Sequence, residues 1–296
     1  MARPAAQPCL RRTLVQVVTQ WRIRFRSRSV GARVHSGRMV SRLVVLGSCG
    51  GWPEAGRACS GYVLEHEGAR IVLDLGYATL PRLLALLESH VADGIDAVVV
   101  THAHPDHLVD LHGLFRARWF ARREAAPIPL YAPTGVLGMV AGLEAGDTAA
   151  VARVFDAYPL PAGPYRVGPF LLESWALPHY VPNAGVRLSS PGLTVAYTGD
   201  TGPDAALAEV GRDADLFIVD ATDWHQQSGT APAPPGQRRN LTAQEAGAAA
   251  AAAGARRLLL THFWPGNDRD ASRAAAAETF YGEILLAEEG LEITLP

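Results

Sequence analysis

The 296-residue chain contains no lysine: all 27 of its basic side chains are arginine. Together with abundant alanine, glycine and proline, this is a coding bias that carries no mechanism. Cysteine is scarce and odd in number, with only Cys9, Cys49 and Cys59 present. That excludes a disulfide framework, fits a reducing compartment, and leaves Cys49 and Cys59 as small buried thiols. Long apolar runs are missing too. The longest uncharged stretch, Ala125 to Leu143, is broken by Pro127, Pro129 and Pro133, so no membrane helix is expected. Acidic residues are absent from positions 1–38, which carry nine arginines. Beyond them, 18 arginines face all 29 carboxylates, a formal charge of −11. Such a body has no sequence-independent attraction for nucleic acid phosphates.

What is present is ordinary globular material, 48% apolar and 19% charged, enough for a sizeable core. In the first 38 residues, Arg11-Arg12 ahead of Thr-Leu-Val-Gln-Val-Val has the outline of a twin-arginine export signal. The apolar part is too short, however, and no small-residue cleavage site follows. The expected organisation is an Arg-rich extension over 1–38, disordered or a product of start-site choice, and a single domain over 39–296 in the cytoplasm.

From Ser41 onward short β-branched runs alternate with helical stretches. Strands are expected at Arg42–Leu46, Gly61–Glu65, Arg70–Asp74, Ala97–Thr101, Ile128–Ala132, Pro169–Ala176, Gly185–Leu188, Leu193–Thr198, Leu216–Val219 and Arg257–Thr261. Helices are expected at Leu80–Ala92, Leu108–Ala121, Gly135–Leu143, Asp147–Tyr158, Asp204–Val210, Thr242–Ala253 and Ala271–Ala287, with Thr242 and Glu245 at capping-box spacing. The halves echo each other. Ala97-Val-Val-Val-Thr-His102 and Leu258-Leu-Leu-Thr-His262 are both buried runs ending in Thr-His. Asp74 and Asp200 likewise follow apolar strands, and α/β folds place ligands at such strand ends. Two sheet-plus-helix halves packed face to face are expected, with a metal site along their shared edge.

The chemistry concentrates in His102-Ala-His104-Pro-Asp106-His107. Neutral imidazole and carboxylate are ligands zinc favours, and a turn after a strand can aim alternate side chains into one cavity. Three His and an Asp in one turn have no structural use that matches this.

His-x-His-x-Asp-His after a buried strand resembles the metallo-β-lactamase superfamily, whose fold is a four-layered αββα sandwich of two mixed sheets with helices outside. The other motifs follow in order: Asp74 in Leu-Asp-Leu-Gly, His179 in Leu-Pro-His-Tyr, Asp200 in Tyr-Thr-Gly-Asp-Thr, and His262 in Leu-Thr-His-Phe. The resemblance spans about residues 42–296. It implies that His102, His104 and His179 bind a first metal, that Asp106, His107 and His262 bind a second, and that Asp200 bridges them. Two Zn2+ are the expected cofactors, and Mn2+ or Fe accept the same ligands. Two such ions activate a shared water as nucleophile and clamp both charged oxygens of a transition state. Asp74 would orient a ligand imidazole.

Within the superfamily, Tyr197-Thr-Gly-Asp-Thr-Gly202, Gly185-Val-Arg187 and Leu241-Thr-Ala-Gln-Glu-Ala-Gly247 look most like the ribonuclease Z and phosphodiesterase-like branch. This implies hydrolysis of a small or short phosphodiester, with Arg187 a candidate phosphate contact, and the branch often forms homodimers. Two departures count against tRNA processing. Asn240 stands where ribonuclease Z carries a proton-donating His, and Val219-Asp220-Ala221-Thr222 stands where that family has His-Glu-Ala-Thr. Asparagine is no general acid; His225, nearby in sequence, is the alternative donor. A lactonase or thioesterase using the same metals is the second reading, and a non-catalytic metal-bound carrier or regulator the third. Trp52, Trp119, Trp224, Phe263 and Trp264 are candidate pocket-lining aromatics.

Overall fold

A computed structural model describes residues 40–121 and 124–296. The Arg-rich extension read over 1–38 lies outside them, as does Cys9. Fourteen strands are found among the described residues. They are β1 (Arg42–Gly47), β2 (Gly61–His66), β3 (Ala69–Leu75), β4 (Ala97–Val99), β5 (Ile128–Pro133), β6 (Phe155–Leu160), β7 (Tyr165–Val167), β8 (Phe170–Leu177), β9 (Asn183–Ser190), β10 (Leu193–Tyr197), β11 (Leu216–Asp220), β12 (Arg257–Thr261), β13 (Glu283–Leu286) and β14 (Glu292–Thr294). They form two seven-stranded mixed sheets, ordered β14-β1-β2-β3-β4-β5-β6 and β13-β12-β11-β10-β9-β8-β7. The helices are α1 (Leu80–Leu86), α2 (Pro105–Ala121), α3 (Val136–Gly142), α4 (Thr148–Ala152), α5 (Ala206–Val210), α6 (Ala243–Ala252) and α7 (Arg269–Ala277).

Three buried clusters define the four layers. One joins alternate side chains of both sheets, among them Leu43, Tyr62, Leu73, Val99, Val186, Tyr197, Ile218 and Leu259. A second packs the opposite face of the first sheet against Leu83, Leu108, Leu111, Phe115 and Val140 from the helices. The third does the same for the second sheet with Leu207, Val210, Ala246, Ala250 and Ala276. Strands buried on both faces read as the continuous apolar runs at 97–100 and 258–260, as parallel sheets require. The expected αββα sandwich is thus the observed fold.

The sequence reading differs from the structure at element ends and in strands it did not expect, β7 and β14 among them, and the helix expected over Leu80–Ala92 ends at Leu86. Asp147–Tyr158, read as one helix, contains only the short α4 before the chain extends as β6, parallel to β5. Ala271–Ala287 likewise stops as a helix at Ala277, and Ile284-Leu285-Leu286 pairs in parallel with Leu258–Leu260. Short apolar runs beside a helix cannot be told from its continuation by periodicity, and sheet pairing decides them. α2 begins at Pro105, not Leu108, because proline suits a first helical turn. The capping box forms, with Thr242 Oγ accepting from the Glu245 N–H and Glu245 reaching back. Cys49 and Cys59 are free and buried, and burial pushes both thiol pKa values up. No helix among the described residues is long and apolar enough to cross a membrane.

Candidate metal centre

The centre lies where strands of both sheets end side by side. β4 delivers Thr101-His102, the turn after it His104, and the first turn of α2 Asp106 and His107. The loop after β8 carries His179, the turn after β10 Asp200, and the residue after β12 is His262. Asp74 and His262, each at a strand end, both adopt left-handed backbone (φ 55° and 58°). That state costs most non-glycine residues about 1 kcal/mol and concentrates at functional sites. Gly76 is required by close approach: a Cβ there would stand 1.9 Å from the Asp106 carbonyl oxygen.

Two ligand sets result, His102, His104, His179 and Asp200, and Asp106, His107, Asp200 and His262, with the donor atoms of each set within 4.8 Å of one another. In the first, His104 Nδ1 lies 3.1 Å from His102 Nε2 and 3.0 Å from His179 Nε2. In the second, His262 Nε2 lies 3.1 Å from Asp106 Oδ2, and His107 Nε2 is 3.6 Å from the same oxygen. Asp200 serves both. Its Oδ2 is 3.9, 3.7 and 3.1 Å from Nε2 of His102, His179 and His262, and its Oδ1 is 3.2 Å from His107 Nε2.

Four of the five imidazoles are tied from behind through Nδ1. His107 donates to Asp74 Oδ2 at 2.7 Å and His179 to the Arg239 carbonyl at 2.8 Å. His102 donates to Thr101 Oγ1 (3.1 Å), whose hydroxyl donates on to Asp74 Oδ2 (2.9 Å). His262 donates to Thr222 Oγ1 (2.7 Å), which donates to Asp220 Oδ1 (2.5 Å). Each such bond fixes the tautomer and turns a bare Nε2 inward, the arrangement metal-binding imidazoles use. Asp74 also accepts from Tyr197 OH (2.8 Å) and the Thr101 N–H (2.7 Å), and Asp106 Oδ2 accepts from the Gly51 N–H at 2.7 Å.

These donors fit cations. Nε2 of His102 and Nε2 of His179 both stand within 3.1 Å of His104 Nδ1. His107 Nε2 and Asp200 Oδ1 are buried without a hydrogen-bond partner, although they are 3.2 Å apart, and buried polar atoms rarely stay unpartnered without an ion or water. Burial holds His102, His104 and His179 below the usual imidazole pKa, in the neutral ligand form. Burial opposes charge on His107 and His262 as well, yet Asp200 and Asp106 outweigh it and raise both. Burial and the neighbouring Asp200 push the Asp220 carboxyl up to about 6.

The remaining expected residues sit differently. Asn240 is buried, and its amide nitrogen bonds Asp220 Oδ2 (3.1 Å) and Thr222 Oγ1 (3.0 Å). Both its N–H groups are therefore committed to the backing of His262. His225 bonds Thr230 at 3.1 Å within its own loop. Arg187, read as a candidate phosphate contact, is turned to the helix side of its sheet, since Val186 and Leu188 occupy the inter-sheet core, and there it bonds the Arg212 carbonyl. Trp119 packs on the helical layer of the first sheet. Phe263 is buried under the Arg269 guanidinium, 4.5 Å from its ring. Sequence reasoning missed Thr101, Thr222, Tyr197 and Gly51. Thr101 and Tyr197 stand beside a ligand motif, which was their only signal, whereas Thr222 stands two residues past Asp220 and Gly51 lies in no such motif.

Sandwich and strand-end centre together define a metallo-β-lactamase-type protein. A family model described as Beta-lactamase superfamily domain matches residues 69–263. The Bacillus subtilis (strain 168) protein named probable metallo-hydrolase YhfI is 30% identical over 252 residues, covering 84% of this chain and 98% of its own. Its crystal structure superposes with a TM-score of 0.73 at 27% identity, covering 86% of this chain and 98% of that one. A ribonuclease Z of Haloarcula marismortui is 28% identical over 310 residues, covering 86% of this chain and 96% of its own. Human tRNase Z, short form, shares the fold, with a TM-score of 0.65 at 23% identity over 86% of this chain and 99% of that one. The chain belongs to the beta-lactamase superfamily, and its relatives indicate a metallo-hydrolase.

Proposed function

We propose that the protein is a dinuclear metal-dependent hydrolase, with two zinc ions, acting on a small or short phosphodiester. The observation that carries this reading is Asp200, whose two oxygens lie among the nitrogens of both ligand sets. His102, His104 and His179 would hold one ion and Asp106, His107 and His262 the other, with Asp200 between them. Two such ions supply Lewis acidity for phosphoryl oxygens and lower the pKa of a shared water toward neutrality. The chain's own part is orientation: Asp74, Thr101, Thr222 with Asp220, and the Arg239 carbonyl hold the Nδ1 protons outward. Gly51 N–H anchors Asp106 Oδ2. Relatives named ribonuclease Z support the phosphodiester class. Acyl hydrolysis of a lactone or thioester is the second reading, favoured by Asn240: with both N–H groups bonded, it gives a leaving group no proton.

The test is metal analysis of the full chain with turnover of bis(p-nitrophenyl) phosphate beside a lactone and a thioester. About two metals per chain and preferred phosphodiester cleavage are expected. Preferred acyl cleavage would move the function to the second reading, and no tight metal under several supplements would overturn both.

A further inference from the structure

Three tryptophans gather on the Asp106–His262 side of the centre, each supplied by a different segment. Trp52 follows Gly51, whose N–H holds Asp106 Oδ2. Trp224 stands two residues past Thr222, which receives the His262 Nδ1 proton. Trp264 stands two residues past His262 itself and packs edge-to-face with both others, at centroid distances of 4.8 Å to Trp52 and 5.5 Å to Trp224. Trp52 remains 48% exposed and Trp224 40%. Both rings lie outside the three buried clusters, and apolar surface left open beside a centre of buried polar groups marks a binding site.

Resting on the hydrolase reading, we propose that Trp52 and Trp224, held in place by Trp264, form a stacking wall that selects substrates bearing a planar aromatic or heteroaromatic group close to the scissile bond. Ring stacking on such a platform is tolerant of the ring's identity but absent for an alkyl group. The wall is thus a specificity device separate from the ligand sets.

The test measures binding to the metal-loaded full chain, by calorimetry and by tryptophan fluorescence, of phenylphosphonate against methylphosphonate and of phenylacetate against acetate. About tenfold tighter binding of the aryl member is expected, at roughly 1.4 kcal/mol per tenfold. Trp52→Ala and Trp224→Ala each lower aryl affinity about three- to tenfold and leave the methyl compounds within about twofold. Trp52→Phe and Trp224→Phe, which keep a ring and the fold, retain most of the preference. Equal binding of aryl and alkyl members by the wild type overturns the wall, as does an aryl preference that survives both alanine substitutions. An aryl preference seen only with the carboxylates supports the wall while removing the phosphodiester reading.

Discussion

Replacing Asp74 by Asn tests the orientation argument with almost no change in shape. Asp74 is fully buried, and its Oδ2 accepts from His107 Nδ1, Thr101 Oγ1 and Tyr197 OH at 2.7, 2.9 and 2.8 Å, while Oδ1 accepts the Thr101 N–H at 2.7 Å. An amide nitrogen placed at Oδ2 would confront three donors, and one placed at Oδ1 would confront a backbone N–H. The two hydroxyls can rotate, but the imidazole can comply only by moving its proton to Nε2, the atom aimed at the second ligand set. Breaking a buried, hydrogen-bonded charge of this kind costs about 3–5 kcal/mol of stability. Loss of such a backing carboxylate lowers metal affinity about 10–100-fold. Titration calorimetry with Zn2+ should therefore show the second equivalent weakened by that factor and the first less affected, because His179 is held by a carbonyl instead. Thermal melting of the metal-free variant should fall correspondingly. A second-metal Kd within about threefold of wild type would refute the tautomer reasoning.

Other substitutions probe the centre from different sides. His102→Ala or Asp200→Ala should abolish turnover, and activity persisting in either with metal content verified would sink the hydrolytic mechanism. Gly76→Ala places a methyl 1.9 Å from the Asp106 carbonyl, so α2's first turn must shift; about a hundredfold loss of kcat/KM is expected, against a null result if the loop yields freely. Asn240→His should raise phosphodiester turnover about tenfold or more for poor alkoxide leaving groups and little for p-nitrophenolate. An equal effect on both would mean that leaving-group protonation is not what the substitution supplies.

The αββα class and the grouping of seven polar side chains were legible because both depend on short-range signals. Buried parallel strands leave continuous apolar runs, and their polar ends leave His and Asp in compact motifs. The side to which Arg187 turns was not legible, because a strand's two faces are distinguished by register, and only pairing of β9 with its neighbours shows that Val186 and Leu188 take the core side. Asn240 was legible as a departure from the ribonuclease Z pattern. That both its protons are spent on Asp220 and Thr222 depends on a contact across 18 to 20 residues, which no local pattern reveals.

The Thr-His echo shows how far sequence symmetry can be trusted. Thr101 backs His102, as its position suggests. Thr261, its counterpart, bonds Tyr62 OH across the sandwich instead, and the backing of His262 passes to Thr222 beyond the neighbouring strand. The exchange has a partner in the other direction, since Tyr197 of the second sheet donates to Asp74 of the first. The two tyrosine rings meet edge-to-face at 5.3 Å between these bonds. Each sheet thus sends one buried hydroxyl to the other's strand end, directly beneath the ligand sets. Separation of the sheets would leave these polar groups unpaired in the core, at about 1–3 kcal/mol for each group. Each ligand set draws residues from the strand ends of both sheets, so the span across which each set closes is set by the sandwich interior, and the loops that carry His104 and His179 need only reach it.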